Sequence, residues 1–148
     1  MKLKIKYLSD KIGREISPPR YATDGAAGMD LCAATEEPII LKKGALALVP
    51  TGIAIAVCEG CAAFIYARSG LGVKHGICLS NGVGVVDSDY RGEIKVSAVN
   101  LSEQDYTIKN GDKIAQMVFS PVIKAELEEA DGLDDTVRAD GGFGSTGR

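Results

Sequence analysis

The sequence has almost no helical periodicity and no apolar run long enough to cross a membrane. It also shows no signal peptide, because residues 1–7 alternate apolar and charged side chains as a strand does. These absences argue against a helical bundle and against a membrane-embedded protein. We therefore expect a cytoplasmic protein that is built from strands.

Histidine is nearly absent as well, since His75 is the only one, and Gly76 follows it in a turn-like stretch. A mechanism that depends on a histidine base therefore has one candidate with no evident partner. The lysine of a Walker motif is also missing, which excludes a P-loop nucleotide site. We interpret His75 as a structural residue.

Cysteines number four, and two of them, Cys58 and Cys61, are spaced as in a metal knuckle or a redox pair. Zinc would need four ligands, whereas Cys32 and Cys78 lie singly inside apolar, strand-like segments. We interpret the pair as structural thiols around a tight turn at Glu59–Gly60, because reduced cysteines are often buried. A metal or redox role is the alternative.

An excess of positive charge is lacking too: 20 acidic residues and 17 basic residues give a formal net charge of −3. This balance argues against a nucleic-acid polymer as the main partner, because phosphate chains bind basic surfaces. A small anionic substrate remains compatible, since a few local arginines or lysines suffice to bind it. The length of 148 residues indicates one domain with a substantial core.

What the sequence does contain is a series of short apolar runs with a period of two, separated by Gly, Pro, Asn and Asp. This pattern is typical of an antiparallel sandwich or barrel, of which the jelly roll is one form. Asn110–Gly111 predicts a hairpin between its flanking strands, because both residues tolerate positive φ. The predicted strands are 3–7, 38–41, 46–50, 53–57, 62–67, 94–99, 106–108 and 113–119, with a last strand or short helix at 122–127.

The acidic segment 128–137 is poor in core residues and indicates an extended arm that docks on a neighbouring subunit. We therefore divide the single domain into a β-barrel, residues 1–127, and a flexible C-terminal arm, residues 128–148.

The last eleven residues of this arm, Arg138–Arg148, have the composition of a flap that closes over a nucleotide. Their glycines allow tight bends and a close approach to a ligand. Phe143 offers a flat face for stacking on a base, whereas Arg138, Ser145 and Thr146 suit phosphate oxygens. A frayed polar terminus is the alternative.

Residues 81–92 predict a hairpin with a glycine-rich tip, whose bare backbone groups can pair with the polar edge of a base. Asp87 and Asp89 are two residues apart and would share one face of a regular strand. A carboxylate at this rim can accept a proton from water, so Asp87 is a candidate general base. A solvated turn that contains two acids is the alternative.

A second polar cluster, Arg68, Ser69 and Gly70, directly follows the predicted strand 62–67. Its guanidinium, hydroxyl and bare amide suit a phosphate, although a strand that ends in a glycine turn explains the residues equally well. Gln116 is a polar residue in an apolar run and needs a partner if it is buried. Asp30 lies among small residues where a loop enters a strand.

Taken in order, five segments resemble the five motifs of the homotrimeric deoxyuridine triphosphatase (dUTPase) family. The resemblance runs from near residue 3 to the last residue, with one noted departure at Ala139, where the family often has glycine. Each motif is weak alone, but all five in order with compatible gaps are very specific. The segments are Ala27-Gly-Met-Asp-Leu31, Arg68-Ser-Gly-Leu-Gly72, Gly84-Val-Val-Asp-Ser-Asp-Tyr-Arg-Gly92, Gly111-Asp-Lys-Ile-Ala-Gln-Met-Val-Phe119, and Arg138 with Gly141-Gly-Phe-Gly-Ser-Thr-Gly147.

The resemblance implies an all-β, single-domain, jelly-roll-like distorted β-barrel that forms trimers, with three chains contributing to each site. It implies an enzyme of nucleotide metabolism that hydrolyses dUTP to dUMP and pyrophosphate, with Mg²⁺ on the triphosphate. Asp87 would hold and deprotonate the water that attacks the α-phosphorus. Asp30 would act on the metal through water.

The resemblance also implies the remaining substrate contacts. Asn81 and the backbone around Val85 and Val86 would read uracil, and Tyr90 would pack beneath the deoxyribose and exclude a 2′-hydroxyl. Phe143 would stack on the base. The other residues expected to contact the nucleotide or its phosphates are Arg68, Ser69, Gly70, Lys95, Gln116, Arg138, Gly144, Ser145 and Thr146.

Other functions share parts of this pattern. A dCTP deaminase has a similar fold, but it needs a catalytic acid at the amino carbon of the base, and here the predicted hairpin carries Asp87 and Tyr90. A nucleotide-sensing or protein-binding module would keep the fold without catalysis, against which the intact Asp87 argues. A purely structural jelly roll would leave the glycine-rich tail and Arg68 unexplained.

Overall fold

The computed structural model describes residues 2–142, in which short strands alternate with turns. All eight strands predicted between residues 3 and 119 are confirmed, each within two residues of its expected bounds. In chain order the elements are β1 (Lys4–Tyr7), β2 (Met29–Cys32), β3 (Ile39–Leu41), β4 (Leu46–Pro50), β5 (Ile53–Ala56), β6 (Cys61–Ala67), α1 (Ser69–His75), β7 (Ile77–Leu79), β8 (Gly84–Val86), β9 (Lys95–Asn100), β10 (Tyr106–Ile108) and β11 (Lys113–Pro121).

The strands form small antiparallel sheets that enclose a common core. The largest sheet has the strand order β2-β11-β6-β8, and a second has the order β4-β9-β7. In β9 every second residue is buried, as expected for a strand with one face towards a core. The bulkiest fully buried apolar side chains are Leu31, Leu41, Val49, Ile53, Val96, Ile108 and Met117.

The hairpin predicted at Asn110–Gly111 is wrong, although the turn itself is present. Gly111 has the positive φ of 81° that the dipeptide favours. The flanking strands then separate, because β10 pairs with β3 whereas β11 pairs with β2 and β6. The turn therefore carries the chain from one sheet to another, since each strand pairs where its apolar face is buried.

The hairpin predicted over residues 81–92 is also wrong, because the strand inside this segment, β8, does not pair with a neighbouring part of the segment. β7 pairs with β9, and β8 pairs with β6 in the other sheet. The glycine-rich segment thus forms a crossing between sheets, a three-residue edge strand and a turn. This arrangement places Asp87 directly after the end of β8.

The helix α1 differs from the loop or glycine turn expected after residue 67. It begins directly after Arg68 and ends before Gly76, whose φ of 66° suits a helix C-terminus. A Cβ at Gly76 would lie 2.9 Å from the backbone nitrogen of Ser102, so a side chain is excluded there. Burial of Leu71 offsets the low helix propensity of the two internal glycines.

Beyond Pro121, the described residues 122–142 contain no strand or helix, so the element predicted at 122–127 is wrong. Almost all of these residues are exposed, including the apolar side chains of Ile123, Leu127 and Leu133. Within residues 2–142 the only helix has seven residues, and none is long and apolar enough to span a membrane.

Candidate active site

A cavity of about 490 Å³ lies beside the turn that follows β8. Its volume falls in the range of small-molecule sites, roughly 300–1,000 Å³. The structure brings together here six of the residues that the sequence assigned to a nucleotide site. They are Asn81, Val85, Val86, Asp87, Tyr90 and Lys95.

Asp87 opens the tight turn at the rim of this cavity. The Tyr90 backbone N–H donates to the Asp87 carbonyl over 3.2 Å. Nη1 of Arg91 donates to the carbonyls of Ser88 and Tyr90, at 2.7 and 2.8 Å, and so braces the turn. Because Asp87 is exposed, its carboxylate is accessible to solvent and to a ligand. Both acids lie in a turn, so the regular strand expected to carry Asp87 and Asp89 on one face is absent.

The cavity wall next to Asp87 is formed by an edge strand. Within residues 2–142, β8 pairs only with β6. An edge strand presents unpaired N–H and C=O groups on its outer side. A Cβ at Gly84 would lie 3.1 Å from Cβ of Ile65, which explains why β8 begins with glycine. The backbone of β8 is thus available to pair with a polar, planar ligand.

The Tyr90 ring is held by its hydroxyl and by the absence of a side chain at Gly92. The hydroxyl donates to the Glu93 carbonyl over 3.0 Å. A Cβ at Gly92 would lie 2.6 Å from Cζ of Tyr90, closer than real Cβ atoms approach. The ring therefore keeps its position on the cavity wall only while residue 92 is glycine.

Replacing Gly92 with alanine is expected to displace the Tyr90 ring and to weaken nucleotide binding. Overpacking of this kind typically costs about 1–3 kcal/mol, which corresponds to roughly 5- to 150-fold in KM if the whole cost falls on binding. Steady-state kinetics with dUTP, the substrate that the sequence resemblance implies, and a thermal melt would measure both effects. Gly25→Ala is the matched control, because a Cβ there meets nothing within 4 Å. A Gly92→Ala protein with unchanged KM would contradict this role of Tyr90.

Glu93 also lines the cavity and was missed by the sequence interpretation. One carboxylate oxygen accepts the backbone N–H of Gly52 over 2.9 Å, and the other lies 3.7 Å from Nζ of Lys95. Glu93 therefore joins the β4–β5 turn to the cavity and orients the lysine. The sequence carries no signal for this role, because Gly52 lies 41 residues away.

A second cluster forms where β2, β11 and the end of β6 meet. Nε of Arg68 donates to one oxygen of Asp30 over 2.8 Å, and Nζ of Lys113 lies 2.8 Å from the other oxygen. Nη1 of Arg68 reaches the Lys113 carbonyl at 3.3 Å. Because a guanidinium has five N–H groups, three remain available to a ligand. Lys113 was not predicted as a partner, and only the pairing of β2 with β11 reveals it.

Two cations keep the Asp30 carboxylate ionised. Burial alone would raise the pKa of Asp30, but the hydrogen bond from Lys113 and the charge of Arg68 outweigh it, so the pKa lies below its usual value. A group with a depressed folded pKa stabilises the fold above its unfolded pKa, and this contribution is lost as the pH falls through the folded value.

Asp30→Asn is therefore expected to lower the free energy of unfolding by about 1.5–3 kcal/mol at neutral pH, the usual contribution of a hydrogen bond to a charged group. The difference from the unmodified protein should stay constant between about pH 7 and about pH 5 and shrink progressively below about pH 5, as the pH falls through the unfolded and then the folded pKa of Asp30. Thermal melts across this range would test it, with the exposed Asp24→Asn as control. A difference that stays constant with pH would contradict the assignment.

Beside this cluster, Ser69 and Gly70 are accessible to a ligand, whereas Gln116 is held in place by a hydrogen bond within the sheet. Ser69 and Gly70 are exposed, and a Cβ at Gly70 would meet nothing within 4 Å. Gln116, which was expected to need a partner, donates from Nε2 to the Ala67 carbonyl over 3.0 Å. A Cβ at Gly28 would lie 3.2 Å from Oε1 of Gln116, so glycine permits this close packing of β2 on β11.

The two clusters lie apart within one chain. Val86 pairs with Ala63 in the antiparallel ladder, so Asp87 lies near Ala62 at the start of β6. Arg68 follows the opposite end of the same strand. Six residues at about 3.3 Å each separate Arg68 from Asp87 by roughly 20 Å along the sheet. The structure therefore does not bring Arg68, Ser69, Gly70 and Gln116 to the cavity of Asp87 within one chain.

In the flap, Arg138 is exposed, and its Nε donates to the Gly141 carbonyl over 2.8 Å. Ala139, the residue noted as a departure from the family, has a φ of 44°, in the left-handed region that favours glycine. The four other predicted flap contacts lie outside the described residues. They are Phe143, Gly144, Ser145 and Thr146.

Metal-ligating groups are not clustered in the described part of the chain. Within residues 2–142, no group of three or more His, Cys, Asp or Glu side chains is placed to hold a metal ion. Both oxygens of Asp30 are engaged by cations. Since a carboxylate has about four lone-pair sites, Asp30 can still accept hydrogen bonds from metal-bound water.

The fold and cavity define an all-β protein of the jelly-roll type with a site for a small polar ligand. A sequence model of the dUTPase family matches residues 14–147. The deoxyuridine 5'-triphosphate nucleotidohydrolase of Hahella chejuensis is 51% identical over 146 residues, covering 98% of this chain and 96% of that protein. The dUTPase of Staphylococcus bacteriophage 80alpha, solved with dUPNHPP, has a TM-score of 0.87 at 23% identity and covers 99% of both chains.

The dUTPase of phage phi11 of S. aureus, in which a structural Mg(II) ion is coordinated, has a TM-score of 0.78 at 22% identity, covering 89% of this chain and 98% of that one. The two solved structures show the fold, whereas the family model and the relative from Hahella chejuensis show the family. The chain belongs to the dUTPase family. The resemblance drawn from the five sequence motifs, and with it the expectation of a dUTP-hydrolysing enzyme, is confirmed.

Proposed function

We propose that the chain hydrolyses dUTP to dUMP and pyrophosphate, with Asp87 as the general base. The observation that carries this proposal is the convergence of Asn81, β8, Asp87, Tyr90 and Lys95 on one cavity. This cavity combines an edge of free backbone groups, an aromatic ring and an exposed carboxylate. Those are the groups that a nucleobase, a sugar and an attacking water each require.

The base and sugar bind along β8 and Tyr90. The unpaired edge of β8 and the Asn81 amide pair with the polar edge of uracil. Cytosine presents a donor where uracil accepts, which would leave buried groups unpaired, a mismatch that can reach roughly 10⁴-fold in specificity. Tyr90, whose ring is fixed by its hydrogen bond to the Glu93 carbonyl, would pack against the deoxyribose and exclude a 2′-hydroxyl.

Hydrolysis proceeds by in-line attack of water on the α-phosphorus. Asp87 takes one proton from the water as the new oxygen–phosphorus bond forms, and the bond to the pyrophosphate oxygen breaks. General base assistance of this kind is worth roughly 10²–10⁴-fold. No covalent intermediate is needed, so the reaction does not require a serine nucleophile activated by a histidine. This agrees with a sequence whose single histidine, His75, has no evident catalytic partner.

The phosphates are held by the second cluster. Asp30 fixes Arg68 through Nε, so the free side of its guanidinium is oriented to bind phosphate oxygens in a bidentate manner. The exposed Ser69 and Gly70 and the fixed Gln116 amide add donors beside it. Since phosphoryl transfer depends mainly on positioning and charge stabilisation, these groups suffice.

The donor set also suits Mg²⁺ that is carried by the substrate. Mg²⁺ commonly keeps several waters and is bound through one or two carboxylates together with substrate phosphates. Asp30 would hold those waters. When bound, the ion neutralises charge on the phosphate oxygens.

A complete site requires a second copy of the chain, and we infer a homotrimer. Among the described residues, the charged side chains of the cavity are Asp87 and Glu93, which are acidic, and Lys95, which is basic, and this balance does not suit a triphosphate. Arg68 lies about 20 Å away along the sheet, so it reaches this cavity from a neighbouring chain. Several large apolar side chains are more than half exposed, as expected for an uncovered interface. They include Ile40, Leu46, Leu48, Val73, Val85 and Leu101 in the strand region and Ile123, Leu127, Leu133 and Val137 near the C-terminus.

One assay tests the reaction. Pyrophosphate and ammonia release are measured with dUTP, UTP and the four common deoxynucleoside triphosphates, with and without Mg²⁺. We expect metal-dependent pyrophosphate release from dUTP alone. Ammonia from dCTP would instead indicate a deaminase, and no release from any nucleotide would indicate a non-catalytic binding module.

A mixing experiment tests the shared site. Arg68→Ala and Asp87→Asn proteins, each inactive alone, are unfolded together and refolded as mixed oligomers. If one site takes Arg68 and Asp87 from different chains, some mixed sites contain both residues and part of the activity returns. No recovery, in oligomers whose mixed composition is verified by mass, would contradict the shared site.

A further inference from the structure

Two cysteines that the proposed mechanism does not use, Cys58 and Cys61, flank the Glu59–Gly60 turn between β5 and β6. Cys61 donates its backbone N–H to the Cys58 carbonyl over 3.2 Å, and Gly60 has a φ of 74°. The expected tight turn is therefore confirmed. In such a turn the first and fourth Cα atoms are within about 7 Å, and a disulfide usually joins Cα atoms roughly 4.4–6.8 Å apart.

The side chains of this pair are accessible and meet each other. A side-chain hydrogen bond between Cys61 and Cys58 raises the pKa of the Cys61 thiol, because it favours the protonated form of Cys61. Cys58 is exposed and Cys61 is half-buried, whereas Cys32 is buried. The exposure of Cys58 does not fit the expectation that this pair consists of buried structural thiols. Within residues 2–142, no third metal-ligating side chain joins the pair.

The same turn contacts two functional parts of the chain. The Gly60 carbonyl accepts the backbone N–H of Val122, the residue at which the chain leaves β11 towards the C-terminal arm. Cys61 lines a second cavity, of about 610 Å³, together with Asp87. A change of side-chain geometry at this turn would therefore affect Val122, where the C-terminal arm begins, and Asp87, the proposed general base.

We propose that Cys58 and Cys61 form a reversible redox site, in which oxidation to a disulfide slows the enzyme. The oxidant is a small-molecule disulfide such as oxidised glutathione. The Cys58 thiolate attacks one sulfur of it, forms a mixed disulfide and releases one thiol. The Cys61 thiolate then attacks Sγ of Cys58 and releases the second thiol. In total the protein loses two protons and two electrons, and the oxidant is reduced to two thiols.

The test uses the full-length protein in glutathione buffers of increasing oxidised fraction. Free thiols are trapped by alkylation and located by intact mass and peptide mapping, and dUTP turnover is followed in parallel. Because the regulatory effect rests on the proposed function, turnover of the reduced protein is measured first. Its absence would contradict dUTP hydrolysis and leave the mass measurement of the disulfide valid.

We expect the protein to lose the mass of two hydrogen atoms in the peptide that contains Cys58 and Cys61. Turnover should fall on the order of 10-fold, less than the roughly 100-fold that a 1 Å misplacement can cause. Dithiothreitol should restore it. Cys58→Ser and Cys61→Ser should keep turnover under oxidation, whereas Cys78→Ser, the control, should respond like the unmodified protein.

Three results would overturn the proposal. Both thiols could remain open to alkylation in the most oxidising buffer, or only glutathione adducts could form. The internal disulfide could also form without any change in turnover, which would remove the regulatory role.

Discussion

Asp87→Asn is expected to reduce kcat for dUTP by roughly 10²–10⁴-fold, the usual contribution of a general base. The amide has the shape of the carboxylate but cannot take a proton from water. Because only the transition state is affected, kcat and kcat/KM should fall equally. Steady-state pyrophosphate release measures the rates, and calorimetry with a non-hydrolysable dUTP analogue should show retained binding.

Asp89→Asn is the matched control, since Asp89 lies in the same turn and is exposed. It lines the second cavity together with Asp87, and the proposed mechanism assigns it no role. Turnover near that of the unmodified protein is expected. Unchanged turnover in Asp87→Asn would remove Asp87 as the base, and equal losses in both variants would point to the charge of the turn instead.

Deletion of residues 138–148 is expected to leave a folded oligomer with little activity. The fold should persist, because the regular elements within residues 2–142 end at Pro121. Activity should fall by about 100-fold or more, because the deletion removes the residues that we propose position the phosphates and exclude water. Circular dichroism, light scattering and dUTP turnover together measure the three properties.

Arg138→Ala in the full-length chain serves as the companion variant. It removes one side chain that we propose binds phosphate, while it keeps the glycines and the aromatic ring, so a smaller loss than that of the deletion is expected. Near-full activity in the truncated protein would refute the flap. A truncated protein that no longer assembles would place the role of these residues in the subunit contacts.

The positions of the strands could be predicted because a period of two in apolar residues reports directly on a half-buried strand. In β9, Val96 and Ala98 are buried as their alternation predicts. Strand pairing could not be predicted in this way, because alternation identifies the buried face and not the neighbouring strand. The turn at Asn110–Gly111 and the segment 81–92 were both interpreted as hairpins. The first connects strands of different sheets, whereas the second lies between the paired strands β7 and β9 and sends its own strand, β8, to β6 in another sheet.

The helix α1 shows how tertiary packing overrides local preference. Gly70 and Gly72 each cost about 1 kcal/mol relative to alanine in a helix, so the local sequence favours a turn. Burial of Leu71 and the exclusion of a side chain at Gly76 decide the outcome. Neither contact is visible in the local sequence, because Leu71 enters the common core and Ser102, which meets Gly76, is 26 residues away.

The candidate site was predictable in its residue types and only partly in its arrangement. Asn81, Asp87 and Tyr90 stand close together in the sequence, and the structure places them around one cavity. In the sequence, Glu93 and Lys113 cannot be told from other charged surface residues, so their contacts in the site were not predicted. Their partners, Gly52 and Asp30, are 41 and 83 residues away in the numbering, and sheet formation alone brings them into contact.

Residue order alone was enough to establish that this chain is built from strands, that it carries the five motifs, and that it belongs to the dUTPase family. The tertiary structure alone decided that Arg68 and Asp87 stand at opposite ends of β6. The physical reason is that β6 and β8 are antiparallel, so their C-terminal ends lie at opposite ends of the sheet. Arg68 follows the end of β6 and Asp87 follows the end of β8, and the two residues are therefore far apart. A single chain therefore holds the parts of a site that, as we propose, only an assembly completes.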